Sequence, residues 1–330
     1  MITLRSIMIV AAALAVAPPA PALDASRPDL QTFVAQMNAQ YGVDEGWLRG
    51  LLQQAVYQEK IVETISRPAE RVRPWYEYRQ LFLTQQRIDA GVEYWHTHRA
   101  ELEAAGKHFG VEPEVIVAIL GVETFYGRIT GRYRVLDSLT TLAFDYPPRS
   151  AFFRSELEEF LLLAREGQLD PLTTLGSYAG AMGLPQFISS SFRRFSVDSD
   201  GDGRRDLWTD SADVFGSVAN YFRMHGWVEG ELAIVPARLT KPDAASLATG
   251  QVKLAHTIAE LRTAGIEFDS ELPGERRAML LALEGRDGPE YWVGFRNFYA
   301  ITRYNRSPLY ALAVHQLSEA IAQRVAAAAP

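Results

Sequence analysis

Apolar positions recur at helical spacing over most of the chain. From Asp29 to Ser66, Leu30, Phe33, Val34 and Met37 form one stripe and Leu48, Leu51, Leu52, Ala55 and Val56 another, the recurrence expected of helices that bury one face. The same spacing predicts a helix over about Thr84 to Phe109, another within Val111 to Gly127, a clean amphipathic helix over Arg154 to Ala164, and helices over Asn297 to Asn305 and Pro308 to Ala327. The pattern breaks in two places. Pro68 to Arg79 carries two prolines and crowds Trp75, Tyr76 and Tyr78, so an extended strap is expected there, its aromatics lining a groove or packing on the body. From Glu231 to about Gly294, short alternating pieces at Ala233 to Leu239 and Glu290 to Phe295, set among glycines and prolines, predict a small insertion carrying a few strands. The expected class is mainly α, with this piece making the whole α+β.

One polar residue falls inside an apolar stripe. In Val111 to Gly127 (VEPEVIVAILGVETFYG), Pro113 suits a first helical turn and Gly127 a left-handed close. Val115, Ile119 and Glu123 then lie at i, i+4 and i+8 on one face. Burial and the negative end of the helix dipole both favour the protonated form of Glu123. A carboxylic acid kept neutral near pH 7 is a proton donor, although such a residue can also be half of a structural ion pair.

Composition narrows the setting. The chain has 330 residues, 48% apolar and 22% charged, a net charge of −7 and no cysteine. It is long enough for one large or several smaller domains, and its acidity with no basic run argues against nucleic acid. Without cysteine there is no disulfide, thiol nucleophile, thiolate zinc site or lipid-bearing cysteine. Residues 1 to 22 have Arg5, an apolar run from Ile7 to Ala17 and the small end Ala20, Pro21, Ala22. They read as a secretory signal peptide, with no stable membrane anchor expected in the mature chain.

Three further stretches carry candidate chemistry. Gly176 to Phe187 (GSYAGAMGLPQF) lets backbone approach a ligand closely beside Ser177, Tyr178 and Gln186, a surface suited to sugar hydroxyls and acetamido groups. In Val197 to Asp213, Asp198, Asp200 and Asp202 alternate, Gly203 stands sixth and Arg204 seventh, the first half of an EF-hand calcium loop. Thr209 stands where the closing glutamate would be, so the loop would close with Asp213, or with Asp210 or Asp206. Finally, Phe295 to Tyr310 (FRNFYAITRYNRSPLY) offers Tyr304, Asn305 and Tyr310 as a wall for a sugar ring or as packing.

GVETFYG, GSYAGAMGLPQF, the aspartate-rich loop, SVANYFRMHGW (Ser217 to Trp227) and FYAITRYN occur in order, and over about Asp29 to Val325 the chain resembles the membrane-bound lytic murein transglycosylase B family. The resemblance implies a lysozyme-like catalytic core over 75–230 and 296–310 with its calcium loop at 198–213, a helical domain from both chain ends (23–74 and 311–330), and a small α+β insertion over 231–295. It implies Glu123 as the single general acid, then base, that cuts between N-acetylmuramic acid and N-acetylglucosamine and leaves a 1,6-anhydro product. Ser177 would hydrogen-bond near Glu123, Gln186 would hold substrate, and Tyr78, Tyr221, Tyr304, Asn305 and Tyr310 would line the groove. Asp198, Asp200, Asp202, Arg204 and Asp213 would hold a structural calcium. The partner implied is the glycan strand of peptidoglycan, and the compartment is the periplasm, as in the soluble members. Ser189 departs from the proline many relatives carry after the Gln-Phe pair, which bears on how a helix begins there. Two other readings are a hydrolytic muramidase with Asp145 as second carboxylate, and a non-catalytic peptidoglycan-binding protein.

Overall fold

The computed structural model describes residues 24, 26–67 and 73–327; the expected signal peptide and the first part of the strap, 68–72, lie outside them. Among the described residues three helices come first: α1 (Pro28–Tyr41), α2 (Glu45–Leu52) and α3 (Glu59–Ser66). Pro28 starts α1 and Gly42 closes it in the left-handed conformation, while the Asp44 carboxylate caps α2 by accepting from the Trp47 N–H. The strap differs from expectation. Its second half is a helical turn, α4 (Trp75–Tyr78), running into a 3-10 turn at Arg79–Leu81. Pro74 precedes the first turn, where its missing N–H costs nothing, and Trp75 buries its whole ring.

The expected long helix over Thr84 to Phe109 is two, α5 (Gln85–Thr97) and α6 (Arg99–Phe109), divided at His98. Then come α7 (Pro113–Thr124), β1 (Tyr133–Arg134), α8 (Val135–Asp145), α9 (Ser150–Arg165), β2 (Leu175–Gly176), α10 (Ser189–Phe195) and α11 (Ser211–Met224). The late region holds β3 (Ile234–Leu239), β4 (His256–Thr257), α12 (Ile258–Thr263), β5 (Ile266–Glu267), β6 (Arg277–Gly285) and β7 (Gly288–Gly294). These five strands form one antiparallel sheet in the order β4-β6-β7-β3-β5. Two final helices, α13 (Arg296–Tyr304) and α14 (Pro308–Ala327), lead out of it.

The core has three parts. α7, apolar on nearly every side, sits at the centre of the first, wrapped by α5, α6, α11, α13 and α14. A helix hydrophobic all round has no face to give to water, so it must be surrounded. The second part packs α1, α2 and α3 on α8, α9 and α10, and the third lies between the sheet and α12. The chain ends enter different parts: the N-terminal helices join the second, and α14 lies along α7 in the first. This places the penultimate residue of α7 against the first turn of α14.

Candidate active site

Glu123 is that penultimate residue. Three successive left-handed residues end α7: Phe125 (φ 50°), Tyr126 (φ 59°) and Gly127 (φ 83°). Gly127 is left-handed as the sequence suggests, but the cap itself is Phe125. Such conformations cost about 1–3 kcal/mol at a non-glycine residue, so something must hold them. Tyr126 supplies the hold, because its ring folds back between α5 and α7 and its hydroxyl donates to the Arg87 carbonyl at 2.9 Å. Only glycine leaves that space: a Cβ on Gly121 would lie 2.6 Å from the Tyr126 oxygen, and one on Gly91 would lie 2.5 Å from it.

The turn is also stitched to Gly176–Phe187. Thr124 Oγ1 donates towards the Leu184 carbonyl at 3.1 Å and accepts the Gly127 N–H at 3.0 Å. Gln186, itself left-handed at φ 52°, donates through Nε2 to the carbonyls of Thr130 (3.1 Å) and Gly183 (2.9 Å). Gly131 presses so closely on the other loop that a Cβ would lie 2.1 Å from the Gly176 oxygen. The two loops therefore form one rigid frame around the end of α7.

Tyrosines surround the carboxyl. The Tyr310 hydroxyl donates to Glu123 Oε1 at 2.6 Å. The Glu123 charge is felt at Tyr78, Tyr304 and Tyr310, each of which is pushed above its ordinary pKa, by burial first and by Glu123 second. Burial raises Glu123 itself to about 7, against a smaller lowering by the Tyr310 hydrogen bond. The group is thus poised between acid and base near neutral pH. Tyr304 is fixed by donating to the Pro185 carbonyl at 2.7 Å.

The remaining expected residues take varied places. Tyr221 is not a groove wall: it is 6% exposed, donates to the Arg303 carbonyl at 2.6 Å, and packs under Tyr304 with ring centroids 4.8 Å apart. A tyrosine on the apolar face of α11 is drawn into the core once its hydroxyl finds a carbonyl. Tyr310 is likewise 3% exposed, a partner of the acid and not a wall. Ser177 bonds within its own loop, its hydroxyl accepting from the N–H groups of Ala179 (3.3 Å) and Ala181 (3.0 Å), which leaves the hydroxyl proton to donate. Asn305 is exposed and accepts the Ser307 N–H. Thr124, Gly121 and Tyr126 were not singled out from the sequence; the only signal was their place beside Glu123.

Two other carboxylates, Asp145 and Glu156, are already engaged. Asp145 is ion-paired with Arg27 at 2.8 Å. The buried Glu156 uses both oxygens on Ser190, whose N–H and hydroxyl it accepts at 2.9 and 2.8 Å. It thereby caps α10 just after Ser189, at the point where Ser189 departs from the resembled pattern.

In the aspartate-rich loop, ligand-capable oxygens of Asp198, Asp200 and Asp202 lie within 4.8 Å of one another. Left-handed Gly201 and Gly203 make the turn, and Asp198 accepts the N–H groups of both. Asp213 is not in this group. It is 1% exposed and ties the loop's two limbs together, accepting the N–H of Ser199 at 2.6 Å and of Asp206 at 2.8 Å. Asp206 instead binds Trp208 and Thr209, and Asp210 caps α11. Three converging hard oxygens on a glycine turn fit a calcium ion.

Residues 25–319 match the transglycosylase SLT domain family. The chain is 42% identical over 307 residues to the membrane-bound lytic murein transglycosylase B of Escherichia coli K12, covering 90% of this chain and 84% of that one. Among solved structures, the catenated lytic transglycosylase SltB1 of Pseudomonas aeruginosa superposes with a TM-score of 0.88 at 50% identity, covering 91% of this chain and 99% of that one. The Escherichia coli lytic transglycosylase Slt35 in complex with calcium superposes at 0.83 and 41% identity, covering 92% and 95%. By both sequence and lysozyme-like, mainly helical fold, the chain belongs to the SLT-domain family of lytic murein transglycosylases.

Proposed function

We propose that Glu123 alone cuts the β-1,4 bond between N-acetylmuramic acid and N-acetylglucosamine, first as acid and then as base. The observation that carries this reading is one half-buried carboxyl with a pKa raised to about 7, bonded to Tyr310 and, among the described residues, shifted by no neighbouring carboxylate. Protonated Glu123 gives its proton to the bridging oxygen as the bond from the muramyl anomeric carbon breaks, and the substrate's acetamido oxygen stabilises the positive charge that develops. The carboxylate then takes the proton of the muramyl 6-hydroxyl as that oxygen bonds to the anomeric carbon. The proton is returned, no water is consumed, and the product ends in a 1,6-anhydro ring. An acid near its pKa serves both halves. Tyr78 and Tyr304 flank the acid, Tyr310 orients it, and Tyr221 supports Tyr304 from beneath. Ser177 keeps a free proton for a sugar oxygen, and Gln186 serves by holding the frame shut.

The pairing of Asp145 with Arg27 counts against hydrolysis through that residue. A calcium ion would be held by Asp198, Asp200 and Asp202 with the Arg204 carbonyl, braced by Asp213; it would supply structural stiffness. Residues 231–295 are proposed as the inserted domain, and 23–74 with 311–330 as the helical surroundings of the core. The periplasm is the compartment that suits a signal peptide at 1–22 and a wall substrate. Among the described residues no helix is long and apolar enough to cross a membrane.

Digestion of purified sacculi, with mass spectrometry of the products before and after borohydride, tests the reading. Ends that resist reduction are expected, and Glu123→Gln should lower their formation by at least about 100-fold. Reducible ends would make the enzyme a hydrolase.

A further inference from the structure

A cavity of about 540 Å³ lies where the late sheet meets the helical core, lined among others by Trp227, Glu275, Arg276, Arg277 and Arg296. Its cations are held in place. Arg277 donates to the carbonyls of Leu254 (3.2 Å) and Ala255 (2.8 Å), and Arg296 donates to the Gly226 carbonyl at 3.0 Å. Arg296 lies flat on bare backbone, since a Cβ on Gly226 would stand 1.9 Å from its Nη2. Carbonyls orient a guanidinium without cancelling its charge. Arg276 is neutralised by Glu231, which leaves Arg277 and Arg296 facing a single lining carboxylate, Glu275, while the fully exposed Glu260 outside the lining also feels Arg277. Preoriented guanidinium forks beside an indole in a concave site select a carboxylate joined to a partly apolar chain.

We propose that this cavity takes a carboxylate of the peptide stem borne by the muramyl residue, making it a recognition site for peptide-bearing strands. The proposal rests on the murein reading of the catalytic site. α13 joins the two places, since Arg296 begins it and Tyr304, beside Glu123, ends it. At about 1.5 Å per residue the helix separates them by roughly 12 Å. A stem of about four residues, extended at about 3.3 Å each, spans roughly 13 Å. A stem tethered at the reacting sugar therefore has the reach of the cavity.

Calorimetric titration of the full chain with a soluble stem tetrapeptide tests this without turnover. Arg277→Ala/Arg296→Ala should weaken binding at least about tenfold, as should amidation of the peptide's carboxyl groups, while acetate alone should bind far more weakly. Because Arg277 also ties down Leu254 and Ala255, Arg296→Glu by itself, compared at equal melting temperature, must weaken binding too. No binding by the unaltered protein, equal binding by the variants, or acetate binding as tightly as the peptide would overturn the proposal. Anhydro ends released from strands stripped of their stems report on the catalytic reading separately, so either idea can fail alone.

Discussion

At the scale of single residues, the proposed function turns on how one carboxyl is balanced. Burial raises Glu123 and the Tyr310 hydroxyl, which bonds best to the ionised form, lowers it. Two outcomes follow from those opposite signs. Since the proposed first step needs the protonated acid, kcat/KM should fall as pH rises through about 7. In Tyr310→Phe that limb should move to higher pH, and the rate below it should drop about 10- to 100-fold with the loss of a hydrogen bond to a charged group. A pH–rate profile of the two proteins checks both, and an unmoved limb would remove Tyr310 from the acid's control. Stability carries the same sign. The folded pKa lies above the ordinary carboxyl value of 4.5, so the folded state holds an extra proton between about 4.5 and 7 and loses stability as pH rises through that window. Glu123→Gln should therefore be more stable than wild type at pH 8, by about 2 kcal/mol after allowance for the carboxyl's open side, and nearly equal to it at pH 4.

Among elements, the end of α7 decides whether that balance is maintained. Three left-handed residues persist because Tyr126 is wedged into spaces left by Gly91 and Gly121. Gly121→Ala would intrude on that ring at 2.6 Å, with an expected loss of about 1–3 kcal/mol by overpacking. It should also depress kcat at temperatures where the variant is still folded, because the frame around Glu123 shifts. Thermal melting and activity measured together check this, and normal kcat would mean that the turn tolerates movement.

The same element shows what a sequence can reveal. Val115, Ile119 and Glu123 share a face by spacing alone, and α14 begins and ends at the expected Pro308 and Ala327, since local periodicity and a proline start need no tertiary information. The left-handed close at Gly127 was legible, but its extension to Phe125 and Tyr126 was not, because its cause lies in contacts with Arg87 and Gly91, over thirty residues earlier. Tyr310 meets Glu123 across 187 residues, so motif reading could name it but not give it a partner. β6, with a nearly continuous apolar run at MLLAL, has no alternation to announce a strand, whereas β3 and β7 lie close to the alternating pieces. Packing was one of the two outcomes expected for Trp75, but its helical turn was missed for a related reason, because a proline-rich stretch reads as extended until a core is present to receive the indole.

Across the whole molecule, the aspartate loop connects α10 to α11, and α11 carries Tyr221 beneath Tyr304, which lies close enough to Glu123 to feel its charge. Three carboxylates within 4.8 Å repel one another unless a cation joins them, while Asp213 holds the limbs of the loop from within whether or not one is bound. The loop's fold and its occupancy are therefore separable. Calcium at about 100 times its dissociation constant should stabilise the protein by about 2.7 kcal/mol, and a chelator should remove this as a fall of several degrees in melting temperature. Asp200→Asn should melt alike with and without calcium. Asp213→Asn should lower melting in both conditions, because it weakens bonds to Ser199 and Asp206 that do not depend on the ion. Neither calcium nor Asp200→Asn should move the pH limb near 7, since that limb is set by burial and Tyr310. A limb that shifts with calcium would show that the loop reaches the acid through Tyr221 and Tyr304, and would make the ion part of the chemistry instead of a brace.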